Sequence, residues 1–297
     1  MPDRQHPRSL FTVPAPIAAL FRRFPLAVLP QNDLPVRSPS HTATGTPILH
    51  VFTTPEDAPK GRPSFNPSCL KWQTYLKISH IEFLIRPSTN HASPSGALPY
   101  LQPPPPLRPI PSGNRLESWV SSNPPAKASP SSPTSREQTY QALLDTRVRT
   151  AWLHALYLSP ANSPLLARLY IHPASNNPLV RLTLAHQVCS AAEAEVLKAT
   201  RSAVVDPARI YAEARAAFEA LSALLEGEET DDAWFFNAEK PTLFDASVFA
   251  YTQLLLDRDF GWLDRTLPDI LREFPVLVRH RERLLARCFS DDDGVLV

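Results

Sequence analysis

Glycine is scarce: the 297-residue chain has 7 glycines against 34 prolines. So few glycines exclude a collagen triple helix, which needs one at every third place, and any glycine-rich phosphate-binding loop. Cysteine is also rare. Cys69, Cys189 and Cys288 are too few, and odd in number, for a secreted disulfide framework. The opening residues lack the pattern of a cleavable signal peptide, so a reducing compartment is expected. No apolar run approaches the roughly 18–20 residues that span a bilayer. Even the stretch Ala151 to Leu158 contains His154. Any membrane association is therefore expected to be peripheral. The nine histidines, among them His154, His172, His186 and His280, show no His-x-x-x-His spacing, and the cysteines no Cys-x-x-Cys spacing. No metal site is expected. Nor is a nucleic-acid partner, since the net charge is +1 and no Lys/Arg cluster is interleaved with aromatics.

What the chain has is proline, unevenly spread. Residues 1–134 hold 26 prolines and residues 135–297 hold 8. Charge divides at the same place: 13 Lys/Arg against 6 Asp/Glu before it, and 17 against 23 after it. The 43% hydrophobic content is ample for a core, and the length suits about two domains.

Residues 1–46 form a proline-rich arm. Within it Ile17, Leu20, Phe21 and Phe24 have helical spacing, with Arg22 and Arg23 on the other side, until Pro25 stops the pattern after about two turns. Three readings stay open for this segment: folding back on the chain's own core, docking on a partner or membrane surface, or targeting. Residues 47–120 read as a small α/β layer. Ile48 to Phe52 and Ile81 to Ile85 have strand character, and Pro67 to Ser79 reads as a helix burying Leu70, Thr74, Leu76 and Ile78. Ser95-Gly96 is a turn into Ala97 to Leu101. Pro103 to Pro106 form an extended loop, and a further helix is expected after Ser112-Gly113-Asn114.

Residues 121–134 have linker composition. The domain from 135 to 289 is expected to be all-helical, followed by an acidic tail, 290–297, with Asp291 to Asp293 as a solvated charge run. Asp206-Pro207 is a helix start, with Ile210, Ala214, Ala217, Phe218, Leu221 and Leu225 as its buried stripe. Glu226 to Asp232 reads as an acidic connection. Thr242-Leu-Phe-Asp245 is a capping box ahead of an apolar run. Pro268 and Pro275 punctuate the last helices, whose core candidates are Leu271, Val276, Leu277, Leu284 and Leu285.

An α/β domain followed by an all-helical one resembles the glutathione transferase organisation, a thioredoxin-like domain joined to a helical domain. Asn66-Pro-Ser-Cys69, Leu98-Pro99, Glu117-Ser118 and Thr242-Leu-Phe-Asp245 stand in the order of that fold's landmarks. The resemblance implies a cis bond before Pro99, which proline permits at about 0.5–1 kcal/mol. More closely, Asn66 to Ser79, with Phe83, Arg86-Pro87, Asn90 and Ser93-Pro-Ser-Gly-Ala-Leu-Pro-Tyr-Leu101, is similar to the metaxins, which include the fungal subunits of the mitochondrial sorting and assembly machinery. The smaller of the two fungal subunits is the nearest likeness. Lys240 to Ala246 and Leu267 to Leu271 agree with it. The resemblance implies a peripheral, non-enzymatic subunit on the cytosolic face of the mitochondrial outer membrane, with no cofactor. Its implied partners are the β-barrel insertase, a second metaxin-like subunit and β-barrel precursors.

The alternative is a glutathione-dependent transferase or thiol oxidoreductase, which needs a Tyr, Ser or Cys donor to the glutathione thiolate. Aligned on a redox Cys-Pro-x-Cys, Asn66 stands in the nucleophile's place and Cys69 at the resolving position. Cys69 reads first as a buried small residue, with redox, modification or metal roles behind. Ser64 and Ser68 are weaker serine candidates. Glu117-Ser118 reads as a relic of a γ-glutamyl site or, more simply, as first-turn charge and capping. Asn66, Cys69, Glu117 and Ser118 thus form a degenerate glutathione site. Pro67, Pro99, Thr242 and Asp245 are fold landmarks, and Ile17, Leu20, Phe21, Arg22, Arg23 and Phe24 are candidate partner contacts.

Overall fold

The computed structural model describes residues 45–123, 134–227 and 233–290. Ile17 to Phe24, most of the linker, the end of the acidic connection and Asp291 to Asp293 lie outside the described residues.

Six elements make the first layer: β1 (Ile48–Val51), α1 (Pro67–Ile78), β2 (Leu84–Pro87), β3 (Tyr100–Gln102), β4 (Ile110–Pro111) and α2 (Asn114–Ser122). The sheet order is β2-β1-β3-β4, with β1 parallel to β2 and antiparallel to β3, and β3 antiparallel to β4. Leu49, Val51 and Leu101 pack with Cys69, Trp72 and Leu76 of α1 and Leu116 and Val120 of α2. This is the thioredoxin-like arrangement.

Local chemistry sets α1 at both ends. The Asn66 side chain accepts from the Cys69 amide at 3.2 Å, and Pro67 fills the first position, where its missing N–H is no loss. At the other end His80 turns left-handed (φ 55°), and the Ile81 and His80 amides donate to Leu76 and Lys77 carbonyls. This closure recruits Ile81 to the end of the helix, packed with Leu76. The expected strand from Ile81 to Ile85 therefore starts later, at Leu84. Ile81 is a buried apolar residue spent on stopping the helix, which strand propensity does not distinguish from a strand residue.

The loop before β3 is shaped by the motif residues. Ser93 Oγ donates to the Ala97 carbonyl at 2.6 Å, Gly96 takes φ 74°, and the Leu98 amide donates to Asn90 Oδ1 at 3.0 Å. The Leu98–Pro99 bond is cis, as is Pro105–Pro106. Sequence patterning misses β4, a two-residue strand whose second member is Pro111.

The second layer is helical: α3 (residues 135–158), α4 (residues 163–171), α5 (Pro178–Thr200), α6 (Pro207–Glu226), α7 (Leu243–Leu256), α8 (Thr266–Arg272) and α9 (Pro275–Cys288). Wider π turns interrupt α3 at Leu144–Val148 and His154–Leu158 and α4 at Ala167–Ile171. The Asp206 side chain caps α6 through the Arg209 amide, and the whole expected stripe of α6 is buried. On α9 the buried face is Leu277, His280, Leu284 and Cys288, while Val276 and Leu285 are only half-buried.

Helix α1 joins the layers. Beyond the expected Leu70, Thr74 and Leu76 it buries Cys69, Trp72 and Gln73, because α7 covers one side and the sheet the other; Ile78 is half-buried. Leu70 belongs to the helical core, and the Lys77 ammonium donates to the Cys288 carbonyl at 2.6 Å.

One buried histidine makes stability depend on pH. His154 Nδ1 lies 3.0 Å from the Tyr211 hydroxyl, and burial holds its pKa below the ordinary 6.5, opposed by Asp264. The unfolded chain then binds the extra proton more readily, so stability rises with pH across this window. His154 contributes fully above about pH 6.5 and loses its contribution as pH falls through the lowered folded value. Denaturation midpoints between pH 7.5 and 5.5 should fall less steeply for His154→Gln than for the parent. Parallel slopes would refute this.

Candidate functional site

The candidate site is built where β1 ends and α1 begins. Fifteen residues, 52–66, join them, and one buried side chain organises this loop. Gln73 accepts from the Ser64 amide at 2.9 Å and donates to the carbonyls of Arg62 and Gly61 at 2.8 and 3.3 Å. Ser64 in turn donates its hydroxyl to the Phe52 carbonyl at 2.6 Å. Ser64 is fully buried and spent on the backbone, whereas Ser68 is exposed on the first turn of α1.

Cys69 lies under this loop with no solvent exposure. Burial pushes its thiol up to about 12, against smaller opposing effects of the Phe52 backbone and Ser64. A thiol in that state is protonated at neutral pH and unreactive. Its place near a helix start does not rescue it, because desolvation outweighs the helix-end field.

Asn66 has both amide ends occupied. Its oxygen caps α1, and its Nδ2 donates to the Tyr170 hydroxyl at 3.1 Å. Tyr170 packs beside Tyr157, and burial holds Tyr170 well above the ordinary tyrosine pKa. The Asn66–Tyr170 bond thus ties the α/β layer to the π turn of α4, with Tyr157 of α3 packed against it. Around it Phe52 and Phe65 meet Tyr170 edge-on at 5.3 Å each, and Tyr157 lies 5.9 Å from Tyr170. The position expected for a nucleophile instead carries an interdomain tie enclosed by aromatic rings.

Glu117 supplies the expected first-turn charge of α2, but neither it nor Ser118 caps the helix. The cap position is Gly113, at φ 109°, and the dipeptide lies within the helix, with Ser118 exposed. Glu117 acts on Lys71 of α1: burial lowers the Lys71 ammonium pKa, and Asp145 and Glu117 draw it back up. Pro99 stands at the start of β3, beside the C-terminal end of β1.

Thr242 and Asp245 form a reciprocal cap that extends into the core. Thr242 Oγ1 accepts from the amides of Phe244 and Asp245, and Asp245 Oδ2 accepts from the Thr242 amide at 2.8 Å and hydroxyl at 2.7 Å. The second oxygen, Oδ1, accepts from the Phe235 amide at 3.2 Å and lies 3.0 Å from His280 Nε2. Both side chains of the Asp245–His280 pair are fully buried. Gln73, Tyr170 and His280 are not legible as structural partners from local spacing, since their partners lie 9 to 104 positions away.

A cavity of about 690 Å³ lies at the other end of β1, lined by residues that include His80, Ile81, Glu82, Pro105, Leu107 and Trp119. It does not reach Asn66, Cys69 or Pro99. Among the described residues no group of three or more His, Cys, Asp or Glu is placed to hold a metal, and no helix is long and apolar enough to cross a membrane.

Residues 67–162 match the glutathione S-transferase N-terminal domain family, and residues 214–284 match the glutathione S-transferase C-terminal domain family. No curated protein matches this chain. Similar solved structures include a glutathione S-transferase from Methylobacterium radiotolerans in complex with glutathione sulfonate (16% identity, 84% of this chain and 94% of that one, TM-score 0.48). Another is a glutathione transferase family member from Pseudomonas fluorescens with two glutathione bound (11% identity, 90% and 94%, TM-score 0.46). A third is FzlA from C. crescentus (14% identity, 82% and 90%, TM-score 0.46). What those proteins bind is a property of those proteins.

Proposed function

We propose, from the premise that this chain carries glutathione S-transferase N- and C-terminal domains, that it works by binding proteins and not by turnover. Its place is as a peripheral subunit of the mitochondrial outer-membrane sorting and assembly machinery. There it holds β-barrel precursors beside the insertase, together with a second metaxin-like subunit. The observation that carries the non-enzymatic reading is the Asn66–Tyr170 hydrogen bond, which ties up the residue in the nucleophile's place, above a Cys69 thiol raised to about 12. The likeness of residues 66–101 to metaxins supports the choice of machinery. Capture of a precursor suits strand addition, in which main-chain hydrogen bonds give affinity and alternate side chains give specificity. Edge strand β2, with Leu84 on its surface, offers such an edge.

Exposed Ser68 favours the alternative of a glutathione-dependent transferase. Affinity purification of the tagged chain from digitonin-solubilised mitochondria separates the two. The expected eluate contains the β-barrel insertase, and the chain shows no glutathione-agarose retention and no conjugating activity. An eluate without the insertase sinks the proposal. Turnover abolished by Ser64→Ala, Ser68→Ala or Cys69→Ala would establish the alternative.

A further inference from the structure

Helix α5 packs through one stripe, Leu184, Val188, Ala192 and Val196, spaced four residues apart. Toward its C-terminal end the exposed positions carry Glu193, Glu195 and Lys198, as a solvated helix surface should. In the first turns they instead carry Leu179, 74% exposed, and Leu182, 70%, with Val180 at 41% alongside. Among the described residues the other exposed large apolar side chains, Leu84, Leu107, Val204 and Leu263, stand at separate places in the sequence. Geometry sets these turns apart. Helix α5 runs antiparallel to α3: Arg149 pairs with Glu195 at 3.4 Å, and the Cys189 thiol donates to the Tyr157 carbonyl at 3.1 Å. Since α3 ends at Leu158, the residues of α5 from Pro178 to Val188 extend roughly 16 Å past it, beside the last turn of α4.

We infer that the first turns of α5 dock on an anionic lipid bilayer, with Leu179, Val180 and Leu182 among the acyl chains. Charge favours that occupant. No Asp or Glu occurs between Asp145 and Glu193, and the nearest cations in sequence are Arg168 and Arg181. Both guanidiniums bond neutral oxygens: Arg168 the Phe260 carbonyl, and Arg181 the Ser175 carbonyl and, at 3.3 Å, Asn176 Oδ1. An apolar helix turn in a stretch that carries cations and no acid matches a surface of anionic headgroups. Side-chain type argues against a protein occupant. Binding hot spots favour Trp, Tyr and Arg over Leu and Val, and residues 172–200 contain no Trp, Tyr, Phe or Met. Size argues against a second copy, since a stable interface takes roughly 20–30 residues a side. The inference rests on the peripheral reading above and supplies its contact surface; a test with lipid alone can fail while the insertase still co-purifies.

The test uses the purified complete chain with vesicles of phosphatidylcholine containing about 30% phosphatidylserine, or of phosphatidylcholine alone. The parent should sediment with the anionic vesicles, binding them at least about ten-fold more tightly than the neutral ones. Leu179→Gln with Leu182→Gln keeps charge and helix propensity and removes no packed side chain. It should weaken that binding at least about ten-fold. Val204→Gln with Leu263→Gln, at exposed positions elsewhere, should leave it unchanged. No binding by the parent overturns the inference, as does binding that ignores headgroup charge, undiminished binding by the first variant, or equal weakening by the second. A first variant that keeps vesicle binding but loses the insertase from the digitonin eluate, or a second copy in gel filtration, assigns the patch to a protein and overturns it as well.

Discussion

Asp245→Ala is expected to remove about 3–5 kcal/mol of stability, the range for breaking a buried, hydrogen-bonded charged group. Four donors lose their acceptor at once: the amides of Phe235 and Thr242, the Thr242 hydroxyl and His280 Nε2. The Phe235 amide and His280 Nε2 lie where water cannot replace the carboxylate, since both bonds are buried and Asp245 and His280 have no exposed side-chain surface. Against a typical total of about 5–15 kcal/mol, this loss brings the chain close to unfolding at 37 °C. Thr242→Ala, which removes the capping hydroxyl, should cost only about 1 kcal/mol. Urea denaturation of the three proteins measures the contrast. An Asp245→Ala loss no larger than that of Thr242→Ala would show that the carboxylate serves the helix end alone and that the His280 contact is energetically idle. A double-mutant cycle with His280→Leu isolates that contact.

Gln73→Ala is expected to have the second-largest effect, about 2–3 kcal/mol, and a distinctive local signature. Its amide satisfies one N–H and two carbonyls of the loop, so truncation leaves three backbone groups without partners. The buried one, the Ser64 amide, regains water only if the loop lifts. Lifting exposes Cys69, whose inertness comes from burial by that loop and not from its chemical identity. Thiol labelling under native conditions should therefore leave Cys69 unmodified in the parent and modify it in Gln73→Ala, at least ten-fold faster. Labelling at the parent's rate would mean that the helices and sheet, without the loop, seal the cysteine. Reading the labelled position by peptide mapping separates Cys69 from half-buried Cys189.

These two residues also mark how far the sequence is legible. Asp245 was readable as a cap because its partner, Thr242, is three positions away. Its bond to His280 was not, because that partner is 35 positions on and on another helix. Likewise Asn66-Pro67 announces a helix start, while the Asn66 bond to Tyr170 crosses 104 positions and depends on where α4 is packed. The strand expected at Ile81 failed for a related reason: an apolar residue that closes a helix and one that opens a strand have the same hydropathy. Glu117-Ser118 was placed in the correct helix but not at its cap, since the backbone of Gly113 and not a side chain starts α2.

The sequence by itself determined the two-layer organisation, the helix start at Pro67, the caps at Asp206 and Thr242, and the turn before Pro99, because each depends on groups within a few residues of one another. Tertiary structure alone decided what the glutathione-like landmarks became. Whether Asn66 faces a ligand or a tyrosine, and whether Cys69 is a thiolate or an inert thiol, depends on which distant side chains exclude water from them, and desolvation is a property of the packed whole.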